Sequence, residues 1–370
     1  RDDLVTGVQT CALPISVTAS GTDGWLTYRF AAEDVRDFTW TTSNVQQWDA
    51  TSALVPDRDE DGEDDRVLIH AFWRPERAPL WVQQWEYAKQ SIEHHSVYTG
   101  FPYPWPHMTS VEGTDIISGG MEFPMLTLIG PYEDGDVQAL FNVTSHELAH
   151  MWVPMIVGSN EKRHAWMDEG STTFLEDQSR MEMWPGVDHH RVEATNYLQV
   201  ATAGLEQSMM RHADWYEPGP GGGTASYAKP ATLMVALREV LGEETWEEAY
   251  RAFISEWAYK HPSPWDFFAT FERFAEQDLD WFWTSFYFET WTLDHAVGSV
   301  RAHTSGGATV TIEDRGFAPF PVTVRLTTTR GGQIEERIPV EHWLDGNKSF
   351  EIEVPSSAGS VTRVEVDPVG

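Results

Sequence analysis

His146, Glu147, Leu148, Ala149 and His150 stand in a row, and Glu169 follows 19 residues after His150. Two histidines four apart lie one turn apart on the same helical face, so both imidazoles can reach one point in space. The helix that carries them is expected from about Gln138 to Trp152, stopping before Pro154. Glu169 reaches the same point from the next helix, completing a His2Glu set that suits a catalytic zinc with one position left for water. Glu147 then points close to the metal without binding it. A buried ion-pair cluster without metal is the alternative that the same residues allow. Gly170 is expected to let the second helix approach the first closely, and Asp168 or another acid to orient a ligand imidazole.

Patterning around this pair divides the chain. From Trp25 to Trp73 short apolar and polar stretches alternate, as in antiparallel strands. From Trp81 to Gly100 the spacing becomes helical, a Pro-rich turn follows, and the stretch from Thr114 to Gly130 reads as strand. Residues 137–295 are mainly helical, and after Gly298 alternation returns, broken by Gly-Gly and Asp-Gly turns. The fold class is therefore α+β: a mainly helical domain over 79–297, the end of an N-terminal β-domain over 17–78, and a C-terminal β-sandwich over 298–370. The opening segment 1–16 resembles translated sequencing adapter, a contaminant of metagenomic assemblies, and is expected to be an artefact that includes Cys11. With the signal region expected to be missing, both an exported and a cytoplasmic location stay open.

Charge narrows the partners. A formal net charge of -33 opposes binding to nucleic acid or an anionic membrane. No apolar run approaches the length of a membrane span. Hydrophobic residues at 41% and aromatics at 13% fit a globular chain rather than a disordered one.

HELAHMW followed by WMDEG resembles the aminopeptidase N family of gluzincin zinc peptidases, particularly its bacterial branch with GSNE (158–161) before the second zinc helix. AKQSIEHHSVYTGFPYPWPHMTSVE, GGMEFP and SYAKPATLM match further family segments in the right order, so the resemblance covers about residues 80–295. It implies a thermolysin-like catalytic domain with one zinc per chain, acting on peptides with a free N-terminus. It assigns the general base to Glu147 and the oxyanion donor to Tyr227, for which a core tyrosine is the alternative. It places substrate binding at Gly119, Gly120, Met121 and Glu122, with Glu122 meeting the α-ammonium. Phe123 departs from the asparagine that the family has there. Relatives carry a full β-saddle domain first, and many a helical domain last, so both ends are expected to be truncated. Thermolysin-style endopeptidase and an inactive binding protein on the same fold are the rival functions.

Two further features belong to the sequence. Asp57, Asp59, Asp61 and Gly62 have calcium-loop spacing, but Leu68 stands where a bidentate glutamate belongs, so Ca2+ is possible and a solvated acidic loop is preferred. His94, His95, His164, His189 and His190 lack a second metal pattern and are expected to be surface or satisfied core histidines.

Overall fold

The computed structural model describes residues 7–10, 14–20, 25–132 and 137–368. Cys11 lies outside the described residues, as does much of the segment read as adapter. Two compact units are present, one running to Glu206 and resuming over Arg211–Ala275, the other formed by Gln207–Met210 with the chain from Glu276 onward.

In the first unit, Gly7–Thr10 pairs with Trp40–Ser43 and Pro14–Ser20 with Trp25–Phe30, both antiparallel. A five-stranded mixed sheet follows, made of β1 (Gln47–Val55), β2 (Asp65–Trp73), β3 (His107–Glu112), β4 (Gly120–Phe123) and β5 (Leu126–Ile129) in the order β1-β2-β3-β5-β4. β2 runs antiparallel to β1 and parallel to β3, and β3 parallel to β5. The near-continuous apolar run VLIHAFW explains the place of β2, because a strand flanked on both sides and covered on both faces reads as a run rather than as alternation. Val67, Ile69, Ala71, Phe72 and Trp73 are all buried. The sheet therefore joins strands from both sides of residue 79.

Helices cover and extend the sheet: α1 (Gln84–Tyr98), α2 (Val137–Ala149), α3 (Ser171–Met183), α4 (His189–Thr202), α5 (Pro220–Ser226), α6 (Ala228–Leu241), α7 (Glu243–Trp257) and α8 (Pro264–Ala275). α7 shows why they pack. Its buried residues Trp246, Ala249, Tyr250, Phe253 and Ile254 recur at three- and four-residue steps, which is one helical face. Trp246 and Tyr250 meet Phe174 of α3 at ring distances of 5.3 and 5.9 Å. α1 pins α2: His95, fully buried, contacts the carbonyl and hydroxyl oxygens of Ser145 at 3.1 Å, and the Thr144 hydroxyl donates to Gln84 Oε1 at 3.0 Å. No helix among the described residues is long and apolar enough to cross a membrane.

The second unit contains β6 (His295–Ala302), β7 (Ala308–Asp314), β8 (Val322–Thr328), β9 (Gln333–Ile338), β10 (Ser349–Val354) and β11 (Val361–Val366). They form two antiparallel sheets, β6-β7-β10 and β9-β8-β11. Val310 and Ile312 from one sheet and Val324, Leu326 and Ile338 from the other share one core with Trp343.

Candidate active site

α2 delivers His146 and Glu147, and His150 sits just past its last residue. The helix regularity ends at Ala149, three residues before the expected Trp152, and a wider π-type stretch spans Met151–Ile156. The cause is Pro154, which disfavours helical geometry in the residue before it. Val153 accordingly takes an extended conformation, with φ -135 and ψ 113. His150 keeps helical angles, φ -58 and ψ -18, so its ring stays one turn from that of His146, 4.9 Å between centroids.

Glu169 lies in a second π-type turn, Trp166–Gly170, that opens into α3. Its Oε2 is 3.2 Å from His146 Nε2 and 3.4 Å from His150 Nε2. The three side chains thus offer one ligand atom each within 4.8 Å of one another. Gly170 does not serve the approach of this turn to α2. A methyl there would meet Pro230 of α6 at 2.4 Å and the Ser226 carbonyl at 3.3 Å, so the glycine admits the segment that carries Tyr227.

The outward nitrogens are held as well. His150 Nδ1 is 2.9 Å from Asp168 Oδ1, and His146 Nδ1 is 3.1 Å from Glu176 Oε2. His150 Nδ1 also meets the Val153 carbonyl at 3.0 Å and the Thr172 hydroxyl at 3.1 Å, and these partners of the far nitrogens fix which nitrogen each ring presents to Glu169. Glu176 is the partner that sequence reading missed. Its signal was its position seven residues after Glu169, two turns along the same helical face.

Electrostatics tests whether a dication fits. Burial alone would depress both histidines, yet the carboxylates outweigh it: Glu169 and Glu176 push His146 up to about 10, and Asp168 and Glu169 push His150 well up. Glu169, although burial raises it, is held low by its hydrogen bonds from both rings. The surrounding carboxylates make the field at the two imidazoles negative, and a donor set of two nitrogens and a carboxylate oxygen is one that suits zinc.

Glu147 is buried, and its Oε2 has no hydrogen-bond partner among the described residues. Burial, aided by Glu122 and Glu169, pushes its pKa up to about 7 against the lowering pull of the two histidines. A cation at their nitrogens would draw it back down. Tyr227 stacks on His146 and donates its hydroxyl to Glu169 Oε1 at 2.5 Å. Burial and the Glu169 charge raise its pKa, so the phenol stays protonated and able to donate.

Gly120, Met121 and Glu122 belong to β4, the last strand of the sheet, and Gly119 immediately precedes it. Among the described residues β4 pairs with β5 on one side only, Gly120 opposite Ile129 and Glu122 opposite Thr127. An unpaired strand edge is the kind of surface that an extended peptide can join. Gly119, Gly120, Glu122, His146, Glu147 and Tyr227 are among the walls of a cleft of about 420 Å³. The Glu122 carboxylate has ligand atoms of Glu147 and His150 within 4.8 Å. Of the other histidines, His94 pairs with Glu182, His95 with Ser145 and His190 with Asp177, whereas His189, buried, and His164 keep ring nitrogens with no hydrogen-bond partner among the described residues. Asp57 accepts hydrogen bonds from the backbone of Glu60 and Gly62, so the acidic loop between β1 and β2 is closed by its own amides.

The Peptidase family M1 domain matches residues 83–286. Aminopeptidase M1 of Arabidopsis thaliana is 25% identical over 230 residues, 58% of this chain and 26% of that protein. Leucine aminopeptidase 2 of Neurospora crassa is 27% identical over 188 residues, 47% of this chain and 27% of that protein. This chain therefore spans about a quarter of the length of these curated relatives. The crystal structure of Legionella pneumophila aminopeptidase A in complex with aspartic acid superposes with a TM-score of 0.69 at 15% identity, covering 97% of this chain and 41% of that one. At that identity the likeness is one of fold.

Proposed function

The chain belongs to peptidase family M1, and from that premise we propose that it is a zinc-dependent aminopeptidase that hydrolyses the first peptide bond of substrates with a free N-terminus. The observation that carries this reading is Glu122, a carboxylate on an open strand edge within 4.8 Å of ligand atoms of Glu147 and His150.

His146, His150 and Glu169 would hold the zinc. Bound there, zinc supplies a Lewis acid that makes water acidic enough to ionise near neutral pH and polarises the scissile carbonyl. Glu147 takes the proton of the attacking water and passes it to the leaving amine, so the carboxylate ends as it began. As the carbonyl oxygen becomes an oxyanion, the Tyr227 hydroxyl turns from Glu169 to donate to it. Asp168 and Glu176 keep the two imidazoles oriented throughout. The substrate backbone pairs along β4, and its ammonium meets Glu122, which fixes the register of the first peptide bond over the site.

A panel of aminoacyl fluorogenic amides and their N-acetyl counterparts tests the reading. Blocking the amine leaves Glu122 without its cation, a penalty on the order of 2 to 5 kcal/mol, so kcat/KM should fall at least about 30-fold. Glu122→Ala should compress that difference by losing the free-amine activity. Equal rates on blocked and free peptides, with internal cleavage products, would move the assignment to an endopeptidase.

A further inference from the structure

A second cavity, of about 550 Å³, lies beside the cleft and is lined by Arg36 and by the loop that runs from Gly158 to His164. Glu122 joins the two. Its carboxylate, which has Glu147 and His150 near it on one side, also lies within 4.8 Å of ligand atoms of Glu161 and Asp168. Glu161 is a wall of the second cavity. A residue whose ammonium rests on Glu122 therefore has this cavity within reach of its side chain.

The charge of the cavity runs against that of the protein. The chain carries a net -33, yet Arg36, Lys162 and Arg163 converge here with Glu161 as the one acid among the lining residues. Arg36 cancels that acid in an ion pair of 2.7 Å. Neither Lys162 nor Arg163 has an ion pair among the described residues, so two positive charges remain uncompensated. Two residues of its wall also carry buried polar atoms with no hydrogen-bond partner among the described residues. Ser159 is only 5% exposed and its hydroxyl has no partner, and the buried Nδ1 of His164 has none either. A buried hydroxyl left unpaired is costly, and a ligand that accepts from it relieves that cost.

We propose that this cavity receives the side chain of the substrate's N-terminal residue and selects a carboxylate there, so that aspartate and glutamate are removed in preference to neutral residues. The proposal rests on the aminopeptidase reading and deepens it. Lys162 and Arg163 supply the counter-charge to the side-chain carboxylate. Charge discriminates glutamate from glutamine, which has nearly the same shape. Because Lys162 and Arg163 are exposed, the preference is subject to screening by salt.

Glutamyl, glutaminyl, aspartyl, asparaginyl and alanyl fluorogenic amides form the test panel. Glutamyl over glutaminyl should favour the acid at least about 10-fold in kcat/KM, and the ratio should shrink between low salt and about 0.5 M salt. The double variant Lys162→Gln, Arg163→Gln should bring the ratio toward one, with an unchanged circular dichroism spectrum showing that it is folded. Binding is read separately on Glu147→Gln, which cannot turn over: calorimetry should show Glu-Ala binding more tightly than Gln-Ala by a similar factor. Brisk alanyl turnover with a glutamyl to glutaminyl ratio of one or less would overturn the carboxylate pocket and leave the aminopeptidase standing. Cleavage of blocked peptides with no turnover of any free-amine amide would remove both.

Discussion

Replacing Gly120 by alanine is a test of how tightly the strand edge and the general base are fitted. A β-carbon at position 120 would stand 2.1 Å from Glu147 Oε1 and 2.2 Å from its Cδ. Ordinary contact begins near 3.4 Å, so the carboxylate has to withdraw by about 1 Å from the place where it meets water. The clash reaches Glu147 Cγ at 2.5 Å as well, so the buried side chain must swing as a whole, and folding should register the change modestly. Catalysis should register it strongly, because a misplacement of about 1 Å is worth about 100-fold in rate. We expect Gly120→Ala to retain its zinc and to melt within a few degrees of the parent. On an alanyl or leucyl amide, kcat should fall about 100-fold with little change in KM. Gly119→Ala, whose added carbon would meet nothing within 4 Å, should lose far less. Steady-state kinetics, metal analysis and a melting curve on the two variants decide the matter. A Gly120→Ala enzyme that works within about threefold of the parent would refute the placement of Glu147 as the base.

Other perturbations separate the remaining roles. His150→Ala should sharply reduce zinc measured by metal analysis, whereas Glu147→Gln should keep it and lose nearly all turnover; equal zinc in the His150 variant would sink the ligand assignment. Tyr227→Phe should lower kcat by about 100-fold with KM little altered, and an unchanged kcat would return Tyr227 to a packing role. His70 and His107, buried with ring centroids 6.1 Å apart, are each lowered by burial to about 4 from an ordinary 6.5. The unfolded chain then binds more protons than the native one below pH 6.5, so their contribution is intact above that pH and is lost as pH falls toward 4. Urea titrations should show each costing about 2 kcal/mol between pH 7 and pH 5, and His107→Leu should flatten that slope; an unchanged slope would show that these histidines do not titrate in that window.

Much of the site was legible because its spacing is local. His146 and His150 are tied by one helical turn, and Gly119 to Glu122 are consecutive, so a linear pattern captures both. What escaped depends on how separate elements meet. The sequence allowed several acids to orient a ligand ring, and only packing brings Asp168 to His150 and Glu176 to His146. Gly120 read as room for a peptide, yet its nearest neighbour is Glu147, 27 positions away. Gly170 read as a contact with α2 and instead faces Pro230. Glu161 drew notice only as part of a motif, because its nearness to Glu122 crosses from a loop to a strand. In the fold, the helical stretch and the C-terminal strands were plain from their periods, whereas the company β2 keeps was not, since a two-sided apolar run does not name its partners.

That company has a kinetic consequence. The segment that matches the family begins at residue 83, but β3 takes its backbone hydrogen bonds on one side from β2, between Leu68–Phe72 and His107–Val111. The pairing is parallel and closes only over the intervening helix α1, a slow kind of contact to make during folding. A chain begun at the family boundary would leave β3, a strand buried throughout, with a bare edge, an invitation to pair with its own kind. The stretch recognised by kinship and the stretch able to fold are thus different lengths of chain, and a shortened version is expected to emerge as aggregate before its active site can form.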